Sequence, residues 1–204
     1  SFKELVKTGN VEVLAGTYAH STVSLHNKEV FKKQVTEHKK LMKEIFGVTP
    51  KTFVNTELIY SNEIGADVAE MGFNLMATEG AKHVLGWKSP NYLYANSINP
   101  KLRLLLRNYK LSDVITLNFV NNSLTTESFV EKLKECNEEV VNIFANYETC
   151  GENYDASTGI VDFMKYLPEA IFNNTDFEYA KPIEMLDKLQ TMSIFDAPIP
   201  LSSM

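Results

Sequence analysis

The sequence predicts an α/β fold in which helices cover a mostly parallel sheet of five or six strands. Short β-rich segments alternate with amphipathic helical segments along the 204 residues, which is the order of a parallel sheet with crossover helices. Hydrophobic residues make up 44% of the chain and charged residues 23%, as in globular proteins rather than in disordered chains or coiled coils. A doubly wound sheet and a (β/α) barrel both fit this order of elements.

The predicted strands are short runs of β-branched, aromatic and aliphatic residues that turn signals separate. They fall at 11–15, 52–58, 73–77, 91–96, 102–107 and 140–147, with 177–179 as a shorter candidate. The run 140–147 (VVNIFANY) has the most convincing pattern of a buried strand.

The predicted helices show caps at their ends and apolar residues at helical spacing. Asn27 begins a long helix that carries Phe31, Val35 and His38 on its apolar face, and Gly47 ends it. Five further helices are predicted after Ser61, at 111–119, at 126–136, after Thr158 with an interruption at Pro168, and from Pro182 onward. The last residues, 193–204, contain two prolines and predict a loop.

The charge balance limits the classes of partner. Acidic residues outnumber basic ones by 26 to 20, which gives a net charge of −6. Such a chain lacks the basic surface that is typical of nucleic-acid binding, and the same balance argues against an anionic membrane surface. No apolar run reaches the ~20 residues of a membrane span. We therefore predict neither a nucleic-acid partner nor a membrane partner.

The two cysteines, Cys136 and Cys150, bear on compartment and on metal binding. Two cysteines in a chain this long do not make a disulfide framework, although a single bridge is compatible with them. Residues 1–10 (SFKELVKTGN) are polar and charged, unlike a signal peptide. We therefore predict a cytoplasmic location. The sequence has no zinc signature, and we predict no metal and no cofactor.

Polar and acidic residues follow the predicted strands, where the active residues of α/β barrels gather. His20, Glu57, Glu79 and Asn146 each come soon after a strand or close one. An acidic pocket with aromatic residues suits a neutral polyol, because carboxylates accept hydrogen bonds from hydroxyls and rings stack on C–H faces. Two carboxylates that face one another across a glycosidic bond would suffice for hydrolysis, and Glu57 is a candidate for either role.

Four segments, in order, resemble glycoside hydrolase family 57, and most closely its α-amylase and α-amylase-like branch. They are 9–12 (GNVE), 52–63 (TFVNTELIYSNE), 86–92 (GWKSPNY) and 146–152 (NYETCGE). The resemblance covers about residues 9–170, and four ordered motifs are far more specific than one.

The resemblance implies an incomplete, distorted (β/α)₇ barrel that acts on α-glucans or maltooligosaccharides with retention of configuration. The family's nucleophile falls on Glu57, within the N-T-E-L motif. Its general acid/base, an aspartate, falls on Asn146. The motif's phenylalanine and closing histidine fall on Cys150 and Asn153.

An asparagine at position 146 predicts weak or absent hydrolysis. The amide has no titratable proton, and general acid/base help contributes about 10²–10⁴-fold to rate. Three explanations compete: a naturally degenerate amylase-like chain, an engineered Asp→Asn change that traps substrate, or a stand-in role for Glu148, two residues along the same strand face. The further changes at Cys150 and Asn153 favour natural degeneration.

Other residues are candidates for substrate binding. Trp87 and Tyr92 lie in the segment that resembles the family's G-W-x-S-P-N motif and would stack on sugar rings. The remaining candidates are Glu12, His20, Glu79 and Glu152. For Glu12 a structural role is the stronger expectation, and for His20 a loop histidine bonded to the backbone is the slightly stronger one. Glu79 fits a helix cap equally well, and His38 is expected to be a hydrogen-bonded core or interface histidine.

Length bears on the domain organisation. A (β/α) barrel typically uses about 250 residues and rarely as few as 200, and the family's first-strand H-Q-P-like segment is not among these residues. We therefore expect residues 1–192 to be the central part of a barrel and 193–204 to be a loop. A non-catalytic α-glucan-binding protein is the alternative, and a metal-dependent polysaccharide deacetylase a more distant one.

Overall fold

Five short strands pair into one sheet in the computed structural model, which describes residues 1–121 and 123–203. The strands are β1 Thr52–Val54, β2 Leu75–Thr78, β3 Leu93–Asn96, β4 Arg103–Leu106 and β5 Thr191–Phe195. The α-helices of the described residues are α1 Phe2–Lys7, α2 Lys28–Phe46, α3 Asn62–Glu70, α4 Lys82–Leu85, α5 Tyr109–Thr116, α6 Thr126–Lys134, α7 Ile160–Asn174 and α8 Met185–Lys188. Within the described ranges, no helix is both long enough and apolar enough to cross a membrane.

The chain divides into two compact units. The first contains Ser1–Leu106 and Ala180–Met204, and therefore holds the whole sheet with α1 to α4 and α8. The second is Arg107–Tyr179 and holds α5 to α7. The boundary that the sequence predicts at residue 192 falls inside β5.

The sheet has the order β1-β2-β4-β3-β5. The first three of these strands are parallel to one another, with Val54 paired to Ala77 and Thr78 paired to Leu106. Strand β3 runs antiparallel to β4, and β5 runs parallel to β3. The predicted α/β class is therefore confirmed, and the open, mostly parallel sheet matches part of a barrel.

Helix α2 forms where the sequence predicts it and packs one apolar face on the sheet. The Asn27 side chain accepts a hydrogen bond from the Val30 amide (3.0 Å), and Gly47 ends the helix at φ +75°. Phe31 and Val35 are buried on this face, and the Phe31 ring meets that of Phe53 edge-on at 5.8 Å between centroids. Full burial of such side chains contributes about 1.5–3 kcal/mol each.

The second unit has its own apolar core. Its centre is a row of three aromatic rings, in which Phe163 lies 5.3 Å from Phe119 and 5.8 Å from Phe129. Leucine and isoleucine side chains of α5, α6 and α7 complete this core. The amphipathic pattern that predicts α5 and α6 is thus explained by burial within this unit.

Three of the predicted strands do not form strands in the structure. In 11–15 only Ala15 forms a bridge, to Phe53, and in 140–147 only Asn142 does, to Arg107. Residues 177–179 are not in a strand. An apolar run predicts burial rather than pairing, and Val141 and Ile143 meet that requirement by packing against the core of the second unit.

The predicted break at Pro168 is also wrong, because α7 continues through this residue. Proline removes one helical hydrogen bond at a cost of about 3 kcal/mol, but the neighbouring Leu167 and Ile171 are buried and hold the helix on its core. The helix begins after Gly159, whereas Thr158 lies in a preceding 3₁₀ turn.

The predicted loop at 193–204 is a further correction, since β5 includes residues 193–195 and Leu201 forms a bridge with Tyr60. The two prolines that suggest a loop, Pro198 and Pro200, come after the strand, where the sheet needs no amide donor. The composition of this segment is therefore compatible with ordered pairing.

Gly65 of α3 leads to a stability prediction. A Cβ at this position would overlap the Asn96 amide nitrogen and lie 2.9 Å from Tyr60 Cε2. The Asn96 amide donates to the Tyr60 hydroxyl (2.7 Å) and to the Asn62 carbonyl (3.0 Å). We expect Gly65→Ala to lower the free energy of unfolding by about 1–3 kcal/mol, measured by urea titration.

The Asn96→Ala background is the matched control for this prediction. Adding Gly65→Ala there should cost less, because the overlap with the amide is gone and only the contact with Tyr60 remains. An unchanged urea midpoint for the single Gly65→Ala variant would show that α3 and β3 separate without cost.

Candidate active site

The carboxyl ends of β1 and β2 bring two predicted carboxylates to one edge of the sheet. By this edge we mean the side on which the parallel strands β1, β2 and β4 end. Glu57 follows β1 and Glu79 follows β2, and these strands are parallel neighbours in register. Because β3 runs antiparallel to β4, the beginning of β3 lies at the same edge. The preceding segment with Trp87 and Tyr92 is thereby brought to the edge that carries Glu57. This edge is the candidate active site of the first unit.

Glu57 lies in a backbone conformation that is rare for its residue type. It is in the 3₁₀ turn Thr56–Leu58, with φ +51° at Glu57 and +52° at Leu58. Non-glycine residues in this left-handed region cost about 1–3 kcal/mol each, and they persist only where surrounding contacts hold them. The Glu57 side chain remains 30% exposed, so its carboxylate is accessible from solvent.

Three successive carbonyls of this turn each accept a hydrogen bond from a different side chain. The pairs are Ser203 Oγ to Glu57 O (3.0 Å), Thr78 Oγ1 to Leu58 O (3.0 Å) and Asn55 Nδ2 to Ile59 O (2.9 Å). The Ser203 amide also donates to the Glu57 carbonyl (2.9 Å). The left-handed turn is therefore held from β1, from β2 and from the segment that follows β5.

His20 is brought beside Glu57 by the loop 16–21. Its Nε2 lies 3.6 Å from Glu57 Oε1, and its own φ is +47°. The loop is joined to the Glu57 turn by the Thr17 and Thr56 hydroxyls, which are 3.0 Å apart. His20 is therefore in contact with Glu57, and its role in substrate binding stays a prediction.

His38 supports the same loop from α2. Its Nδ1 accepts a hydrogen bond from the Gly16 amide (3.1 Å), so the imidazole is neutral at this nitrogen. The expectation of a hydrogen-bonded histidine is confirmed, and the side chain is half-buried. Burial lowers the pKa of His38 below its ordinary value of 6.5.

The two aromatic residues of the 86–92 segment differ in their surroundings. Trp87 is 93% exposed, so both faces of the indole are open to a ligand. Tyr92 is half-buried and packs against the core of the first unit. Stacking on a sugar ring therefore remains a prediction that suits Trp87 better than Tyr92.

Glu12 and Glu79 are both held by hydrogen bonds. Glu12 accepts from the Thr52 hydroxyl (2.6 Å) and from the Ile183 amide (2.8 Å), and Thr52 is the first residue of β1. Glu12 therefore lies at the end of β1 opposite to Glu57. Its two hydrogen bonds fit the structural role that we expect for it. Glu79 is buried at the Glu57 edge and accepts from the Gly80 amide (3.0 Å).

The second unit carries the segment 146–153. Asn146, Glu148 and Glu152 are exposed, and Asn146 begins the 3₁₀ turn Tyr147–Thr149. The premise that Glu148 shares a strand face with Asn146 is therefore wrong, because side chains two apart in a 3₁₀ turn point in different directions. The backbone amides of Glu152 and Asn153 both donate to the Glu148 carbonyl, at 3.2 Å and 2.9 Å.

Sequence patterns predict Glu57 but not the residues that hold it. Asn55 offers a signal, since asparagine before a turn commonly bonds the local backbone. Thr78 and Ser203 offer none, because their partners are carbonyls far away in sequence. Within the described ranges, no group of three or more His, Cys, Asp and Glu side chains is placed to hold a metal ion.

The first unit is an α/β domain that carries a carboxylate after its first strand. The sequence model of glycosyl hydrolase family 57 matches residues 1–198, and the chain belongs to this family.

A relative from Methanocaldococcus jannaschii, named "Putative alpha-amylase", is 43% identical over 195 residues. The match covers 93% of this chain and 41% of the relative, so the chain spans about two-fifths of that protein's length.

Solved structures share the fold. The branching enzyme of this family from Pyrococcus horikoshii superposes with a TM-score of 0.76 at 13% identity, over 100% of this chain and 49% of the enzyme. The 4-alpha-glucanotransferase from Thermococcus litoralis gives 0.73 at 15% identity, over 97% of this chain and 30% of the enzyme. At these identities the likeness shows the fold alone.

The lowered pKa of His38 predicts how stability depends on pH. Above pH 6.5 the imidazole is neutral in the folded and unfolded chains alike, so stability is greatest there. Below pH 6.5 the unfolded chain binds a proton that the folded chain takes up only at lower pH, and the free energy of unfolding falls. We expect His38→Gln to flatten this decline, measured by urea unfolding between about pH 5 and about pH 7.5.

His26→Gln is the matched control, because His26 is exposed. It should leave the decline in place. An undiminished decline in His38→Gln would contradict the assignment of this titration to His38.

Proposed function

We propose that this chain is part of the catalytic domain of an α-glucan-acting glycoside hydrolase homologue, with Glu57 as its nucleophile. The observation that carries the proposal is the left-handed turn that presents Glu57 at the carboxyl end of β1. Family membership and the amylase-named relative support the substrate class. The cytoplasmic location remains a prediction from the cysteine content.

The proposed reaction is a retaining displacement in two steps. A Glu57 carboxylate oxygen attacks the anomeric carbon and forms a glycosyl ester, while the bond from that carbon to the leaving oxygen breaks. Water then attacks the same carbon and releases the carboxylate. An acid must protonate the leaving oxygen in the first step, and its conjugate base must deprotonate water in the second.

Asn146 stands where the resemblance implies this acid/base. An amide neither donates a proton to the leaving oxygen nor takes one from water, so we propose that the chain hydrolyses glucans weakly or not at all. Glu148 is the alternative acid, and it lies in the 3₁₀ turn that follows Asn146.

The remaining site residues have proposed roles in binding. Trp87 offers an open ring for stacking, and Tyr92 offers a half-buried one. His20 and Glu79 lie at the Glu57 edge and offer polar groups to sugar hydroxyls. For Glu152, which is exposed in the second unit, substrate binding stays a proposal from the resemblance.

A non-catalytic glucan-binding protein is the second candidate. The exposed indole of Trp87 and the amide at position 146 favour it, because both would serve binding without chemistry. The two candidates differ in whether Glu57 forms a bond to the sugar.

Asn146→Asp in the full-length protein tests the proposal. Restoring a titratable group should raise maltooligosaccharide hydrolysis by about 10²–10⁴-fold, the usual contribution of general acid/base catalysis. The measurement is release of reducing ends, with affinity for maltotriose followed by calorimetry. Asn146→Asp combined with Glu57→Gln is the control and should abolish the gain.

Two results would overturn parts of this proposal. Rapid hydrolysis by the parent protein would show that Asn146 does not impair it. No gain in the Asn146→Asp variant, with maltotriose still bound, would favour the binding protein over the enzyme.

A further inference from the structure

The segment 196–203 runs antiparallel to residues 57–62 and is joined to them at three levels. The Ala197 backbone amide donates to Asn62 Oδ1 (2.8 Å), and the Asn62 backbone amide donates to the Ala197 carbonyl (2.9 Å). The backbones of Leu201 and Tyr60 exchange bonds of 2.9 Å and 3.0 Å.

The third level is at Glu57 itself, where the Ser203 amide and hydroxyl converge on one carbonyl. That carbonyl belongs to the peptide between Glu57 and Leu58, the two left-handed residues. Rotation of this peptide changes ψ at Glu57 and φ at Leu58, so it would accompany relaxation of the turn toward the right-handed region. Two donors on its oxygen oppose the rotation, and among the described residues Ser203 alone donates to it.

The direction of the Glu57 side chain depends on this backbone. Relaxation of the turn would swing the Cα–Cβ bond and move the carboxylate away from the position that the left-handed conformation gives it. A misplacement of about 1 Å at a reacting group can cost about 10²-fold in rate. A contact that fixes the backbone therefore acts on the rate of attack rather than on substrate affinity.

We propose that residues 196–203, named here the Glu57 clamp, position the nucleophile, with Ser203 as the positioning residue. The inference rests on the proposed role of Glu57 as nucleophile. Ser203 acts through the Glu57 backbone and touches no substrate. The clamp makes an ordered functional element of a segment whose composition predicts a loop.

The first chemical step can be isolated with α-maltotriosyl fluoride as substrate. Attack by Glu57 forms the carbon–oxygen bond of the glycosyl ester, and the carbon–fluorine bond breaks with its electron pair on fluoride. Fluoride leaves without protonation, so Asn146 does not limit this step. The absence of a catalytic base should then let the ester accumulate in the full-length parent protein.

The parent should therefore release a burst of fluoride equal to the enzyme concentration. Intact-mass spectrometry should show one maltotriosyl group per chain, which peptide mapping assigns to Glu57. Single-turnover fluoride release gives the rate constant, and calorimetry with maltotriose gives the affinity.

Four substitutions test the clamp. Ser203→Pro removes both donors and should slow the burst about 10- to 100-fold, whereas Ser203→Ala removes the hydroxyl alone and should slow it about 2- to 10-fold. Ser203→Thr keeps both donors and should restore the parent rate. Ser97→Ala, just after β3 and outside the clamp, is the matched control and should change nothing.

Affinity for maltotriose and the melting temperature should stay at parent values in the Ser203→Ala and Ser203→Thr variants. This separates positioning from a merely structural role, which would move affinity and rate together.

The clamp and the proposed function fail in different ways. No burst and no ester in the parent would overturn Glu57 as nucleophile, and with it the clamp. A parent burst with unchanged rates in Ser203→Ala and in a folded Ser203→Pro would overturn the clamp alone. If Ser203→Pro unfolds, the burst rate constants of Ser203→Ala and Ser203→Thr are compared instead. Equal rate constants for these two variants would overturn the positioning role of the Ser203 hydroxyl.

Discussion

The left-handed pair Glu57 and Leu58 is the constraint around which the candidate site is arranged. Two successive strained residues cost several kcal/mol together on the usual scale of about 1–3 kcal/mol each. The surrounding chain offsets this cost with a hydrogen bond to each carbonyl from 57 to 59. Their donors come from three parts of the first unit, so the turn depends on the sheet being assembled. The geometry of Glu57 is thus a property of the unit and not of its local sequence.

The direction of β3 explains why one edge collects the candidate residues. In an all-parallel sheet, the segment before β3 would lie at the edge opposite to Glu57. Reversal of β3 against β4 brings Trp87 to the Glu57 edge instead. The same reversal sets the direction of β5, which pairs parallel to β3 and leaves Phe195 at the far edge. Residues 196–203 then return along residues 57–62, and this return brings Ser203 to Glu57.

Local signals in the sequence predict what depends on local physics. The caps Asn27 and Ser61 and the carboxylate at Glu57 are of this kind, because a cap or a strand end needs few neighbours. The direction of β3 and the strand at 191–195 depend on long-range pairing, which composition does not encode. The run 140–147 shows the reverse error, since its apolar residues are satisfied by helices rather than by a sheet. Ser203 lies 146 residues from its partner, and no sequence pattern links them.

The strain at Glu57 also bears on which step of the proposed reaction, formation of the glycosyl ester or its hydrolysis, the chain would still carry out. A protein that only binds glucan has no need of a carboxylate on a strained turn, because a relaxed backbone offers the same hydrogen-bond acceptor at lower cost. Attack on an anomeric carbon does need a fixed approach, and the clamp supplies it without reference to position 146. In the proposed reaction an amide at position 146 would remove proton transfer, whereas the contacts around Glu57 concern bond formation to carbon. Under that proposal, loss of the first and retention of the second predict a glycosyl ester formed from an activated donor and a slow hydrolysis of that ester.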